Sequence, residues 1–304
     1  MNDCRLALVA VLFCFGCAEA AVDNADGGGA DALSESSGAQ ICNGSAALCD
    51  KRFDQVVFPT AHNAMSNADE GWALPNQRHG LIRQLDDGVR GFLIDVHPYD
   101  GDDNRLKGKP MLCHQFCALG SRDLTEAWTA MRVWLDAHPN VVIAFVIEDY
   151  VEEALMTQAL TDSGLLKLTH HQAQDQAWPT LREMIAKNER VFVMVESGGG
   201  KSLWRHGYQD YAWDTNYANE KPSDFSCKLL RGKATNKLFL LNHFLTKGVS
   251  AHDQLAQQVN QNPLLQVRLK QCQKEANQLP NFVALDYYDI GDLFVAVQNR
   301  NANL

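Results

Sequence analysis

The sequence carries no surplus of positive charge: 27 Lys and Arg stand against 37 Asp and Glu, a formal net charge of −10. That balance excludes nonspecific nucleic-acid binding, which depends on neutralising phosphates with cations. It also disfavours strong electrostatic adhesion to an anionic membrane. No apolar run is long enough to span a bilayer comfortably. No Gly-rich dinucleotide fingerprint or phosphate-cradling P-loop follows the early apolar runs, and Gly198-Gly199-Gly200-Lys201 lacks the required spacing. The clustered CxxC pairs of a zinc site are missing as well. Neither an internal repeat nor a second domain is visible.

What is present begins with a leader. Arg5 precedes an apolar run from Leu6 to Cys17, the length of a signal h-region, and Ala18-Glu19-Ala20 offers a cleavage site. Gly16-Cys17 alternatively resembles the end of a bacterial lipobox, although Cys14 is a poor third residue before it. Residues 1–20 are therefore expected to be a secretion or lipoprotein signal. The product is secreted, or anchored at the cell envelope through Cys17. Residues 21–40, rich in Gly, Ala, Ser and Asp, bury too little apolar surface to offset ordering and are expected to form a flexible linker. Residues 41–304 remain for one domain, expected to be a monomer. Export also fits the cysteines. With Cys4, Cys14 and Cys17 set aside, six of nine remain. Cys42 with Cys49 and Cys113 with Cys117 are near enough for short loops, leaving Cys227 with Cys272, so three disulfides are expected.

Past the linker, short continuous runs of Val, Ile, Leu and Phe alternate with helical stretches. Val56 to Thr60, Gly91 to Val96, Val141 to Ile147, Arg190 to Val195, Lys237 to Asn242 and Asn281 to Asp286 read as strands covered on both faces. Met111 to Cys113 adds a shorter one. Leu124 to Ala137 and Ala251 to Gln278 read as helices. The alternation predicts an α/β fold with a parallel sheet, and the length favours a (β/α) barrel over a doubly wound sheet.

Catalytic residues of a barrel gather where strands end. His62 and Asn63 follow the first strand, Asp95 and His97 end the second, and His114 follows the short third. Glu148 and Asp149 end the fourth, Glu196 the fifth, Asn242 and His243 the sixth, and Asp286 and Asp289 sit at the last. So many ionisable strand ends are hard to explain by packing alone. Two histidines flanking a phosphorus cleave a phosphodiester by general acid–base catalysis, one deprotonating a hydroxyl and the other protonating the leaving alkoxide. An attacking hydroxyl on the substrate itself gives a cyclic phosphate. Asn63, Asp95 and Glu148 suit a hard cation such as Ca²⁺, which would offset charge developing on the phosphate. The competing reading pairs the carboxylates with Arg or His, for which Arg90 is at hand. Asp286 is the candidate to orient His62, with Asp289 as its rival.

At these residues the sequence resembles the catalytic X domain of phosphatidylinositol-specific phospholipases C. Phe58 to Ser66 reads F-P-T-A-H-N-A-M-S, and Gly88 to Val96 reads G-V-R-G-F-L-I-D-V. Leu112 to Gly120, L-C-H-Q-F-C-A-L-G, carries the second histidine, and V-I-A-F-V-I-E-D-Y from Val142 to Tyr150 the fourth-strand carboxylate. The match is specific over 52–150 and looser to 292, where N-F-V-A-L-D-Y-Y-D also fits. The resemblance implies a distorted TIM barrel with His62 and His114 as the catalytic pair. It further implies the calcium-dependent version of the site, since Asp95 stands where the metal-independent enzymes carry an arginine. Leu93 departs from that pattern, occupying the place of a second acidic ligand, which His97 or water would have to replace.

The implied activity is cleavage of phosphatidylinositol-type lipids at a membrane surface, giving diacylglycerol and a cyclic inositol phosphate. Glu148 joins the histidines and Asp286 as a catalytic candidate; Arg90, Glu196, Trp213 and Tyr287 are candidates for binding substrate. Trp72, Trp204 and Tyr208 share the expectation of aromatic groups near the strand ends, stacking on a sugar or meeting a membrane interface. Glu196 stands where a lysine would read extra inositol phosphates, favouring the unphosphorylated headgroup. Glycerophosphodiesterases and sphingomyelinases D are the alternative enzymes, but Leu93-Ile94-Asp95 lacks the glutamate of their E-x-D arrangement. A noncatalytic module that binds inositol phosphates or glycans is the alternative of another class, kept open by Leu93 and opposed by the two histidines.

Overall fold

In a computed structural model, which describes residues 40–247 and 251–303, the apolar runs become strands of one 11-stranded sheet. The expected leader, the Cys17 anchor and the linker up to residue 39 lie outside the described residues. The strands are β1 (Phe58–Ala61), β2 (Gly91–Pro98), β3 (Pro110–Leu112), β4 (Arg122–Asp123), β5 (Ile143–Asp149) and β6 (Val191–Val195). They continue with β7 (His206–Gly207), β8 (Ala212–Thr215), β9 (Leu229–Gly232), β10 (Leu238–Asn242) and β11 (Phe282–Leu285). Their order is β7-β6-β5-β2-β1-β11-β10-β8-β9. Along that order pairing is parallel from β7 to β8 and antiparallel between β8 and β9, while β3 and β4 lie off it in antiparallel pairing with β2 and with each other.

The period of two along each strand builds two cores. Phe58, Ala144, Val146, Phe192, Met194, Leu238, Leu240, Phe282 and Ala284 pack together inside the curl of the sheet. Their neighbours Phe92, Ile94, Phe145, Ile147, Val193, Leu241, Val283 and Leu285 belong to the other cluster, shared with the helices. Gly91 is required where β2 meets β1: a Cβ there would sit 2.3 Å from Thr60 Oγ1. The N-terminal end of the interior is floored by Phe53, whose ring lies 4.8 Å from Phe58 and 5.1 Å from Trp178. The Cys42–Cys49 disulfide belongs to the same floor.

The helix expected from Leu124 to Ala137 forms with those bounds. Asp123 caps it by accepting from the Thr125 and Glu126 amides at 2.8 and 3.1 Å. The stretch from Ala251 to Gln278 is instead two helices, Asp253–Val259 and Leu264–Ala276. Pro263, with no amide to donate, opens the second. Met111 to Cys113 is not a barrel strand: β3 pairs antiparallel with β2 and β4, so His114 follows a hairpin lying on the rim. The run Ala-Trp-Asp-Thr of β8, too short and polar to read as a strand, supplies the parallel neighbour of β10. The ends of the sheet, β7 and β9, do not pair. Arg231 of β9 spans that gap, donating to Glu196 beyond β6 at 2.7 Å and to Asp214 of β8 at 2.6 Å.

All three expected disulfides are present: Cys42–Cys49, Cys113–Cys117 and Cys227–Cys272.

Candidate active site

The inward positions that are apolar at the floor turn polar at the carboxyl ends of the strands. Leu93 is followed two residues on by Asp95, Val146 by Glu148, Leu240 by Asn242, and all but Leu240 line one cavity of about 480 Å³. Glu196 joins them beyond β6, His97 from the end of β2, and His62, Asn63 and His114 from the connecting segments. Asp95 and Glu148 are register partners on adjacent parallel strands, so their carboxylates stand side by side.

His62 leaves β1 with its amide still bonded to Leu285 O at 2.9 Å. Its ring stacks on Phe244, with centroids 3.7 Å apart. Nδ1 lies 2.8 Å from Asp286 Oδ1, and that oxygen also accepts from Asn76 Nδ2 at 3.0 Å. With Nδ1 committed, Nε2 is the nitrogen left for chemistry. Asn63 adopts a left-handed backbone (φ 44°), which asparagine tolerates. Its side-chain amide reaches His114 Nε2 at 3.3 Å. Burial, then the neighbouring His62, holds the His114 imidazole below its usual pKa of 6.5.

The cavity is acidic. Burial, reinforced by Glu148 and Glu196, pushes the Asp95 carboxyl well above the ordinary carboxylate range. Burial raises Glu196 to about 7 against the pull of Arg231. Tyr150 donates to Glu148 at 2.9 Å and stacks on His97 at 4.2 Å.

Three residues expected to bind substrate are elsewhere. Arg90 precedes β2, at the opposite end of the strand from the cavity; it donates to the Leu85 and Val89 carbonyls at 2.8 Å and lies over Trp134. It therefore pairs with no carboxylate of the site. Trp213 points outward from β8, its ring 3.8 Å from Phe239 and its indole N–H bonded to Gln278. Tyr287 is buried, its hydroxyl donating to Pro75 O at 2.8 Å, and it braces a loop. Trp72, Trp204 and Tyr208 are likewise buried, while Glu196 does line the cavity. Among the other strand-end groups, Asp289 is taken by Arg78 at 3.0 Å, Asp149 by Arg205, and His243 by Val259 O and Arg268. Asp286, not Asp289, meets His62.

Sequence reasoning missed Arg231, Asn76, Gln115, Tyr150, Tyr217 and Phe244, all of which line the cavity. Tyr150 directly follows the polar end of β5 and was open to the same reading as Glu148. Nothing local marks Arg231, carried by the exposed Leu-Leu-Arg-Gly strand.

Comparison with known proteins agrees with this fold. The PI-PLC X family model matches residues 48–301. The chain is 28% identical over 285 residues to the PI-PLC X domain-containing protein 1 of Arthroderma benhamiae, covering 86% of this chain and 89% of that protein. A PI-PLC X domain-containing protein of Arabidopsis thaliana is 24% identical, covering 82% of this chain and 62% of that one. An uncharacterized secreted protein of A. benhamiae is 26% identical, covering 83% and 61%. Among solved structures, a phosphatidylinositol-specific phospholipase C of Staphylococcus aureus superposes with a TM-score of 0.57 at 14% identity, over 83% of this chain and 94% of that one. The curled parallel sheet is thus a distorted TIM barrel of the phospholipase C type. On the extent of the family match, the chain belongs to the PI-PLC X family.

Proposed function

We propose that the protein is a secreted phosphodiesterase that cleaves an inositol phospholipid by general acid–base catalysis with His62 and His114. The observation that carries this reading is the His62–Asp286 pair. A carboxylate on Nδ1 fixes the tautomer, leaves Nε2 as the basic atom, and stabilises the imidazolium formed when it takes a proton. His62 then deprotonates a hydroxyl of the inositol headgroup. His114, lining the same cavity, protonates the departing glycerol alkoxide. The products are diacylglycerol and a cyclic inositol phosphate.

The donor set fits a hard cation such as Ca²⁺. The Asp95 carboxylate is buried beside Glu148 without a hydrogen bond or ion pair among the described residues, a costly arrangement that a cation relieves. Asn63, Asp95 and Glu148 would hold it. They amount to one amide and two carboxylates, for no cluster of three or more His, Cys, Asp or Glu able to hold a metal occurs among the described residues. Bound there, the ion would supply Lewis-acid stabilisation of the phosphate oxygens. Arg231, already shared by two carboxylates, is the one Lys or Arg lining the cavity among the described residues. That balance favours a headgroup with no phosphate beyond the scissile one.

The test is release of water-soluble inositol phosphate from phosphatidylinositol dispersed in vesicles, with calcium and with chelator. Release that needs calcium and vanishes in His62→Ala supports the reading. No release by the wild-type protein, or undiminished release by His62→Ala, overturns it.

A further inference from the structure

A concavity of about 330 Å³ lies at the end of the barrel opposite the acidic cavity. Three cations line it, Lys270, Lys274 and Arg300, and no Asp or Glu does. Its neighbours give its place. Leu279, also in the lining, shortly precedes β11. Asn301, next to Arg300, bonds the Val57 amide and carbonyl at 2.9 Å, just ahead of β1. These are the amino ends of the strands. In a chain of net charge −10, three cations gathered without a carboxylate call for an explanation.

Helix electrostatics account for part of it. Lys274 and Arg300 sit in the last turns of the Leu264–Ala276 and Leu293–Asn301 helices, where cations offset the helix dipole. Lys270 is not explained this way. It lies one turn before Lys274 on the same face, where like charges repel. Nor do the last carbonyls need the lysines, since the Asn277 and Gln278 amides already donate to Lys274 O and Gln273 O at 3.4 and 3.2 Å. The Arg300 guanidinium donates to Gln273 Oε1, and its Nε is buried without an acceptor. Among the described residues no carboxylate pairs with any of the three cations; Glu275, beside Lys274, accepts from Gln271 at 2.8 Å instead. The wall behind them is fixed. Gln278 accepts from the Trp213 indole at 2.8 Å and donates to Asn236 O at 3.1 Å, and the Cys227–Cys272 disulfide anchors the helix between the two lysines.

We propose that this concavity binds the phosphate monoester of a small soluble molecule, at a site separate from the acidic cavity. A phosphate monoester carries close to two negative charges and three acceptor oxygens, which matches three converging cations that lack a counter-charge. The volume is at the small end of the range for small-molecule sites, roughly 300–1,000 Å³. A membrane fits the site less well. Leu279, half-buried, is the one large apolar residue in the lining, and the net charge of −10 opposes approach to an anionic surface. The inference does not rest on the phosphodiesterase reading, because none of its residues lines the acidic cavity.

The test is calorimetric titration of inorganic phosphate into the full chain at pH 8, in chelator so that no cation draws phosphate to the acidic cavity. The wild-type protein should bind saturably at one site. Lys270→Gln and Lys274→Gln together should weaken that binding at least about tenfold. Both lysines are exposed, so the double variant should keep the wild-type Tm. His114→Ala should bind phosphate as the wild type does, which separates this site from the acidic cavity. Cosedimentation with phosphatidylcholine vesicles containing phosphatidic acid tests the other source of the same chemistry. Absence of saturable phosphate binding, or equal affinity in the wild type and the lysine variant, overturns the proposal. Lysine-dependent binding to the vesicles without binding of inorganic phosphate would also overturn it, in favour of a lipid headgroup.

Discussion

His62 Nδ1 lies 2.8 Å from Asp286 Oδ1, joining the end of β1 to the end of β11 across one pair of parallel strands. Asp286→Asn keeps the shape but removes the charge and reverses the hydrogen-bonding preference at Nδ1. The phosphodiesterase reading therefore expects kcat to fall by roughly 10²–10⁴-fold with little change in KM. Steady-state kinetics on vesicular phosphatidylinositol checks this; a loss under twofold would remove Asp286 from the mechanism.

Asp95 is a buried carboxylate whose pKa is raised from 3.8 by burial and by Glu148. A raised carboxylate pKa means that the folded state holds the proton more tightly than the unfolded chain. Stability from this group is therefore complete below pH 3.8 and is lost as pH rises through the folded value. Without calcium, Asp95→Asn should raise Tm, and by more at pH 8 than at pH 4. Thermal melts in chelator measure it, and a lowered Tm at pH 8 contradicts the argument.

At the proposed calcium site the same proton would compete with the cation. Calcium affinity, followed by calorimetry, should weaken as pH falls, because Asp95 must ionise to bind. Binding should release protons, and Asp95→Asn or Glu148→Gln should cut affinity at least about tenfold. Equal calcium binding by wild type and both variants would exclude this donor set.

His62 is the second cause, after burial, of the depressed His114 pKa. Removing it in His62→Gln should let the His114 titration move upward, read by NMR of the ring protons. An unmoved titration would mean that the two rings do not interact.

Arg231 holds two carboxylates across the unpaired ends of the sheet. Arg231→Met leaves Asp214 buried and unpaired and should destabilise the protein by about 3–5 kcal/mol. Arg231→Lys should restore only part of this, since an ammonium lacks the planar fork of a guanidinium. Chemical denaturation gives the comparison, and wild-type stability in Arg231→Met would show that the seam is held by other contacts.

Much of the site was legible because each barrel strand is contiguous in sequence and its carboxyl end runs into polar residues. His62, Asp95, Glu148 and Glu196 could be placed at one mouth from βα alternation alone. The histidine on the β3 hairpin came by the same reading although β3 is not a barrel strand: its antiparallel pairing with β2 still delivers His114 to the carboxyl ends. The disulfide pairs were legible from sequence separation.

Direction was not legible. Trp213 and Asp214 are neighbours on one short strand, yet one faces the helices and the other the interior, and only the register of β8 against β10 decides which. Arg90 lies five residues before Asp95 on the same segment and emerges at the opposite end of the barrel. Asp286 and Asp289 are equivalent as residue types until the chain turns after β11 and gives one to His62 and the other to Arg78. Local sequence is enough to say which chemical groups are available and at which strand ends. Tertiary structure decided which of them face one another, because that depends on side-chain parity, strand register and the return of distant segments such as β9, none of which is a local property of the chain.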